Sequence, residues 1–434
     1  MRNNFIIFIR DYSELDMILP FIDYVITKHN DRVTLYTDYK NIPDAACYHL
    51  EYLKTYHKIE LKYFLEEQLF RKHRYVLLLH DKIKQFQIKR KKTKKKFSYI
   101  NYMISLASVI MTRVAEYIIG KSIKEYVDKL NVSDKIIMYY NGEDFFPGNV
   151  IVGFAEKRDI KTIGYFQGFY IYSNLEYTTK IRGGNRGIKT RLLKFIRNRK
   201  RVYCTYYLVG RTMKTTFFRS NTASDFKGVD RIKETVTPRF TDGWIKTFRT
   251  YLTTKDQFDF GDKKKINVVL FLSRTKQNVI ERELVGMFNL LCKTNNINFV
   301  YKSHPRKNSD IDKGYNASNI NSFQLSAWAD VGILFGSSIA IHLLLDNVPI
   351  IVPSFVHTNS TILEKHKICI TAKDIGELET LLSNNTKDEI RNLIDNTKVE
   401  RFLNEYLSAD KDYEQIMQEY YEAVINQKLN KKGG

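Results

Sequence analysis

At 434 residues the chain is too long for one ordinary core and suits two or three domains. A 43% hydrophobic share with 13% aromatics excludes disordered and fibrous classes. The four scattered cysteines (Cys47, Cys204, Cys292, Cys369) have no paired spacing, which argues against a disulfide scaffold or zinc site and for a reducing compartment. Lys and Arg outnumber Asp and Glu by 70 to 48, and this excess of +22 is local enough to attract polyanions: anionic lipid surfaces, nucleic acids or nucleotide-linked substrates.

Asn4 to Ile9 is a short apolar run ended by Arg10 and Asp11, too short for a signal-peptide core and suited to a buried first strand. Ser13 to Lys28 has the spacing of an amphipathic helix, and Val33 to Tyr36 is β-branched and aromatic. This βαβ opening predicts a parallel sheet covered by helices. Arg74 to His80 is a further apolar run of strand length. Lys82 to Lys96 then carries nine basic residues and no acid, and leads into Phe97 to Met111, apolar apart from Ser and Asn. Fifteen such residues do not span a bilayer, and no stretch reaches the length that does. A cationic run beside an apolar helix can lie on an anionic membrane surface; a buried helix after an exposed loop fits the same pattern.

Lys135 to Tyr140 reads as a strand running into Asn141-Gly142-Glu143-Asp144, followed by a helix around Val150 to Lys157 and a strand at Thr162 to Tyr165. Between Tyr177 and Ser224 stand thirteen more basic residues without an acid, so the two basic stretches account for the whole charge excess. A polar junction spans Tyr251 to Lys265. A second β-α-β series follows, with strands at Ile266–Leu272, Ile297–Tyr301, Val331–Phe335, Pro349–Val352 and Ile368–Thr371 separated by helices. Uninterrupted apolar strands alternating with helices predict doubly wound sheets buried on both faces. The expected organisation is an α/β chain with two Rossmann-like domains, residues 1–255 and 256–396, and C-terminal helices over 397–434.

In such folds ligands sit beyond the carboxyl ends of the strands, and three clusters occupy those positions. Lys302-Ser303-His304-Pro305-Arg306 follows the strand ending at Tyr301, and a histidine there can hydrogen-bond a phosphate or protonate a departing one. Gly336-Ser337-Ser338 precedes a helix expected from Ile339, where amides and hydroxyls suit an anion and a plain N-cap suits the same residues. Asn141 to Asp144 puts Glu143 and Asp144 side by side as a general base or nucleophile, or as the acidic first turn of a helix after an Asn-Gly turn. Arg274, after the strand Ile266–Leu272, is a further candidate for the phosphate. Asp310-Ile311-Asp312 has no apolar strand leading into it and is not read as a metal-binding motif; no metal or cofactor is expected.

Taken together, the acid, the His-Pro and the Ser-Ser pair in this order resemble bacterial glycosyltransferases of the GT-B type, above all those that build capsule and lipopolysaccharide from CMP-activated Kdo or sialic acids. CDP-glycerol phosphotransferases are their nearest cousins. Lys302-Ser303-His304-Pro305 looks like the group's His-Pro motif, and Ala329 to Ser338, followed by Asn347-Val348-Pro349-Ile350-Ile351, looks like its Ser-Ser motif. Tyr140-Asn141-Gly142, Ala155-Glu156-Lys157 and Thr162 to Phe169 resemble the acceptor-side half of capsule Kdo transferases. The resemblance implies a GT-B fold whose two domains face a cleft. It also implies a CMP-linked donor held by Lys302, His304, Pro305, Gly336, Ser337, Ser338 and Arg274, with His304 assisting departure of the phosphate. Glu143 or Asp144 would be the catalytic carboxylate, with Asn141, Gly142 and Gln167 on the acceptor side. Here glycine precedes the acids, where the sialyltransferase acid stands in an Asp-Asp-Gly context. The choice between Glu143 and Asp144, and the stereochemical outcome, therefore stay open.

The expected partners are a nucleotide-sugar donor, a lipid-linked glycan acceptor and the anionic inner face of the cytoplasmic membrane, met through Lys82–Lys96 and Lys180–Arg201. Three alternatives remain at this level: a polyol-phosphate transferase, a catalytically dead scaffold, and a nucleic-acid-binding protein. Nucleic acid is the weakest of these, since no RRM, KH or helix-turn-helix signature accompanies the basic stretches.

Overall fold

The computed structural model describes residues 2–9, 12–37, 47–64, 75–76, 78–79, 82–83, 99–130, 135–140, 147–165, 169–173, 204–212, 232–254, 258–272, 279–303 and 314–426. Within them the chain forms two wholly parallel sheets. The first contains β1 (Asn4–Ile9), β2 (Arg32–Thr37), β3 (Leu61–Tyr63), β4 (Lys135–Tyr140), β5 (Lys161–Tyr165), β6 (Tyr206–Val209) and β7 (Ile232–Glu234), in the order β3-β2-β1-β4-β5-β6-β7. The second contains β8 (Ile266–Phe271), β9 (Ile297–Lys302), β10 (Tyr315–Asn316), β11 (Val331–Leu334), β12 (Ile350–Pro353) and β13 (Ile370–Ala372), in the order β10-β9-β8-β11-β12-β13. Each order reverses direction once, between β1 and β4 and between β8 and β11, and at such a switch the strand-end loops part to leave a crevice.

Composition explains why these strands are central. Residues 5–9 and 331–334 are buried throughout, so each strand packs helices on both faces and reads as a continuous apolar run. The covering helices show the complementary period. Glu281–Lys293 buries Leu284, Met287, Phe288 and Leu291, three and four residues apart on one stripe. Short helices are held by their caps: Asn321 with Gln324, and Thr361 with Glu364, close reciprocal capping boxes.

The last two helices serve different halves. Asn396–Leu407 lays Val399, Phe402, Leu403 and Leu407 into the core of the second sheet. Tyr413–Ile425 returns to the first, where Met417, Tyr420 and Tyr421 pack with Phe5, Phe21 and Trp244, and the Tyr421 hydroxyl donates to Asp31 at 2.8 Å. The resulting architecture is GT-B-like: two doubly wound Rossmann-like domains with C-terminal helices.

The structure departs from the expected elements in three places. At 75–76 and 78–79 the backbone is helical and Tyr75, Leu78 and Leu79 are exposed, so the described part of the 74–80 run is not a strand. Short apolar runs carry no period that separates strand from helix. The run from Phe97 leads into a much longer helix, Tyr99–Asp128, whose inner side (Ile119, Ile123, Val127) packs beneath the first sheet. Finally, β3, β6 and β7 are only three or four residues long and gave no signal above their surroundings.

Candidate functional site

The second sheet brings three strand ends level. Phe271 at the end of β8 is paired with Lys302 of β9 on one side and with Leu334 of β11 on the other. The segments carrying Arg274, His304 and Gly336 leave the sheet from these three ends. Arg274, His304 and Pro305 themselves lie outside the described residues, but their flanks are defined. The Leu272 amide donates to the Lys302 carbonyl at 3.0 Å, and the chain after Arg274 returns at Val279, bridged to His357. In the first sheet Tyr140 and Tyr165, which close β4 and β5, are likewise partners in register. Asn141, Gly142, Glu143, Asp144 and Gln167, which follow them, lie outside the described residues.

After β11 the chain turns through Gly336-Ser337-Ser338, all half-buried. Gly336 has φ +74°, a conformation open to glycine and costly for other residues. The Ser337 hydroxyl accepts from the Ile339 amide at 3.4 Å, while Ala340 and Ile341 donate to the Ser337 and Ser338 carbonyls at 3.2 Å. The helix expected from Ile339 is a six-residue helix, Ala340–Leu345, entered through these tight turns. Among the described residues, none bonds the Ser338 hydroxyl or accepts from the Ser337 and Ser338 amides. Hydroxyls and amides so placed at a switch point can bind an anion.

Lys302 is placed differently. Its ammonium donates to the Ser318 carbonyl at 2.9 Å and to that of Ile320, and burial pushes its pKa down to about 8. The Ser303 amide adds a bond to the Ser318 hydroxyl at 3.0 Å. The cation thus braces the turn beside the strand end that leads to His304.

The first half reaches into this site. Residues 169–173, beyond β5, run against the loop after β12. Ile362 donates to the Ile171 carbonyl at 2.7 Å, the Ser173 amide to the Ser360 carbonyl at 3.0 Å, and the Ser173 hydroxyl to that of Ser360 at 3.0 Å. Between these bonds Tyr172 pairs with Thr361 and turns its ring onto Gly336, where a Cβ would stand 1.9 Å from the phenol oxygen. The ring also lies parallel to buried His357, centroids 5.4 Å apart. Neither Tyr172 nor His357 was marked by the sequence. The available signal was an aromatic run (Phe166, Phe169, Tyr170, Tyr172) after an apolar strand, without the period of an element.

Away from this mouth the first half carries a buried charged cluster that packs against the second, and one ion pair crosses between them. Asp16, on the helix after β1, is gripped by Arg239 at 2.7 Å and by His49 at 3.1 Å. Burial alone would raise its pKa; Arg239 and then His49 outweigh that and hold the carboxyl below the usual range. A carboxylate so stabilised is a poor proton acceptor and reads as structural. His342, from the second half, is fully buried near this pair, and burial and Arg239 drive its pKa well below the ordinary histidine value. Arg249 forks onto Asp346, Nη1 to Oδ1 at 2.6 Å and Nη2 to Oδ2, and also donates to Ser326 at 3.1 Å. Among the described residues no group of three or more His, Cys, Asp or Glu converges on a point that would hold a metal ion.

No protein-family model matches the chain, and no curated protein sequence matches it. The fold has solved counterparts over nearly its full length. Arabidopsis thaliana UGT89C1 complexed with UDP-L-rhamnose superposes with a TM-score of 0.53 at 10% identity, covering 98% of this chain and 99% of that one. UDP-GlcNAc 2-epimerase from Neisseria meningitidis, bound to UDP-GlcNAc, gives 0.52 at 10% identity over 98% and 99%. The glycotransferase of kitacinnamycin gives 0.51 at 11% identity over 98% and 100%. At such identities the similarity establishes the two-domain GT-B-like fold.

Proposed function

We propose that the protein is a glycosyltransferase that takes a sugar from a nucleotide-activated donor held on its second half. The observation that carries this is the half-buried Gly336–Ser338 turn at the switch point of a doubly wound sheet, where the Ser338 hydroxyl and the Ser337 and Ser338 amides have no partner among the described residues. A nucleotide leaving group gains negative charge as the glycosidic bond breaks, and fixed donors are worth most there. Ser337 and Ser338 bind that phosphate in this account, His304 assists its departure, and Arg274 adds a cation. Glu143 or Asp144 serves the acceptor, positioned by Asn141, Gly142 and Gln167. The account uses no metal. Full-length similarity to proteins whose structures hold UDP-rhamnose and UDP-GlcNAc supports nucleotide-sugar chemistry.

The finer assignment rests on the motif resemblance: a CMP donor carrying Kdo or a sialic-acid-like sugar, and a growing capsule or lipopolysaccharide glycan as acceptor. We place the protein on an anionic membrane face through Lys82–Lys96 and Lys180–Arg201. The outer side of the helix Tyr99–Asp128, which follows the first basic stretch, exposes Ile110, Met111, Val114 and Tyr117 and supports that placement. Among the described residues no helix is long and apolar enough to cross a membrane.

The test is a binding titration with CMP, CDP, UDP and GDP, repeated on His304→Ala and on the double variant Ser337→Ala/Ser338→Ala. Cytidine-nucleotide selectivity lost in both variants is the expected result. Preference for UDP or GDP keeps the donor site and removes the CMP assignment, after which product analysis separates transfer from epimerisation. Absence of nucleotide binding refutes the proposal.

A further inference from the structure

We propose that the helix Tyr99–Asp128 is the membrane anchor of the first half: its Ile110–Tyr117 stripe enters the acyl boundary of an anionic bilayer and turns the carboxyl edge of the first sheet toward that surface. This rests on the membrane placement in the functional reading above and adds the element that inserts and the direction in which the site faces.

Length sets the geometry. The helix has 30 residues and measures about 45 Å, whereas the six-residue β4 it leads into measures about 20 Å. Its contribution to the core beneath the first sheet begins at Ile119 and continues through Ile123 and Val127, so only its last third joins that core. A helix that feeds the amino end of a parallel strand runs against the strand direction, and the length left over projects past the carboxyl edge. The chain leaves β4 at that edge toward Glu143 and Asp144. On the projecting part Ile110, Val114 and Tyr117 are 51%, 54% and 69% exposed, and Met111 beside them is exposed too. Spacings of four and three put them on one stripe, which Lys121 continues with its ammonium 5.1 Å from the Tyr117 ring centroid. Tyr75, Leu78 and Leu79, before the basic stretch, are also exposed, while Val76 among them packs against the same core.

Single exposed apolar side chains are ordinary on a protein surface. A stripe of four, with three more on the far side of nine basic residues and no acid at Lys82–Lys96, calls for an occupant that offers hydrocarbon and negative charge together. Nucleic acid supplies the charge without the hydrocarbon, and a second copy of this chain supplies apolar surface with the same cations. An anionic bilayer supplies both, because apolar side chains sink below the headgroups while lysines stay level with them.

The experiment measures binding to phosphatidylcholine vesicles with and without phosphatidylglycerol, at low salt and at salt high enough to screen the basic stretch. Wild type is expected to bind the anionic vesicles and to keep part of that binding at high salt. Ile110→Ser/Val114→Ser is expected to bind at least about tenfold more weakly, the scale of several buried methyl and methylene groups, and to lose the salt-resistant part. Its thermal unfolding is expected to match wild type, since both side chains are exposed. Direction is read from Tyr117→Trp and Lys129→Trp with brominated lipid. The added emission is expected to be quenched at position 117 and not at position 129, which is exposed at the amino end of the sheet. Vesicle binding unaltered in the double serine variant, or equal quenching at both positions, overturns the inference. So does a wild type that sediments as a dimer without lipid while the serine variant is a monomer, because the stripe then belongs to a second copy. None of these outcomes touches nucleotide binding. The functional reading fails separately, when the protein binds vesicles and none of CMP, CDP, UDP and GDP.

Discussion

The two halves of the molecule meet at two junctions of different chemistry. At the rear, Asp16, Arg239 and His49 form a buried ionic cluster against His342, and Arg249 forks onto Asp346. At the front, residues 169–173 rest on the loop at 360–362 through backbone and hydroxyl bonds, with Ser173 exposed. Charge withdrawn from water is costly to separate, whereas amide bonds near solvent can be exchanged for water at little net loss. The rear is therefore held by charge, and the front by the Ser173–Ser360 bonds at the surface above buried Phe169 and Ile171.

The sharpest way to break this contrast is to remove one member of the rear pair. Asp346→Ala leaves the Arg249 guanidinium, whose Nε is buried, without its carboxylate across the junction, and stability in urea is expected to fall by about 3 kcal/mol. Ser173→Ala at the front should cost under about 1 kcal/mol, the range of a solvent-accessible hydrogen bond. Equal losses at the two sites would erase the distinction. A second effect concerns binding. Ser337→Ala/Ser338→Ala is expected to weaken nucleotide binding by at least about tenfold while costing under about 1 kcal/mol of stability, because both residues are half-buried and the one described bond of their hydroxyls is a long one to the Ile339 amide.

The rear joint should also show itself in pH. His342 has its folded pKa depressed, so above about pH 6.5 both folded and unfolded states are neutral and stability is complete. As pH falls below that value the unfolded chain takes up a proton that the folded protein refuses, and stability drops by at most about 1.4 kcal/mol per pH unit for the single group. The Asp16 contribution, also from a depressed folded pKa, is present above about pH 3.9 and is lost as acid protonates it. Urea titrations across pH 2 to 8 should therefore lose their upper step in His342→Phe and keep the lower one. A profile unchanged in that variant would show that His342 takes up its proton equally in the folded and unfolded states.

The same contrast explains what could be read from the chain before its structure. The two parallel sheets were legible because β1, β4, β8, β9 and β11 are uninterrupted apolar runs, a pattern that parallel strands buried on both faces produce locally. Gly336-Ser337-Ser338 was legible because a strand end announces itself by the loss of apolar residues. Lys302 could be placed beside that end, but its bonds to the Ser318 and Ile320 carbonyls depend on a turn sixteen residues away and left no local trace. Asp16 and Arg239 are 223 positions apart, and Tyr172 and Gly336 are 164 apart. The first of these contacts is made by the folding of one half and the second by the docking of the two, and periodicity and spacing within one element are blind to both. Strands of three residues, such as β3 and β7, fail for the opposite reason: they are too short to show any period.

A local effect tests whether the front is a unit. Thr361 is fully buried, accepts from the Glu364 amide at 3.3 Å and donates its own amide to the Glu364 carboxylate at 2.6 Å, closing the cap of the helix Ile362–His366. Its neighbours Ser360 and Ile362 carry the bonds to Ser173 and Ile171, so the cap fixes the ledge on which the first half rests. Thr361→Ala should cost about 1 kcal/mol, the usual value of a lost N-cap. Hydrogen exchange would locate that cost. The Ser173 and Ile362 amides are expected to exchange faster in the variant, while those of Phe5 to Ile9 in β1 keep their wild-type protection, since local opening need not propagate into a separately packed core. Uniform acceleration across both sheets would mean that front and rear open together, and the molecule would then have one junction where two are described.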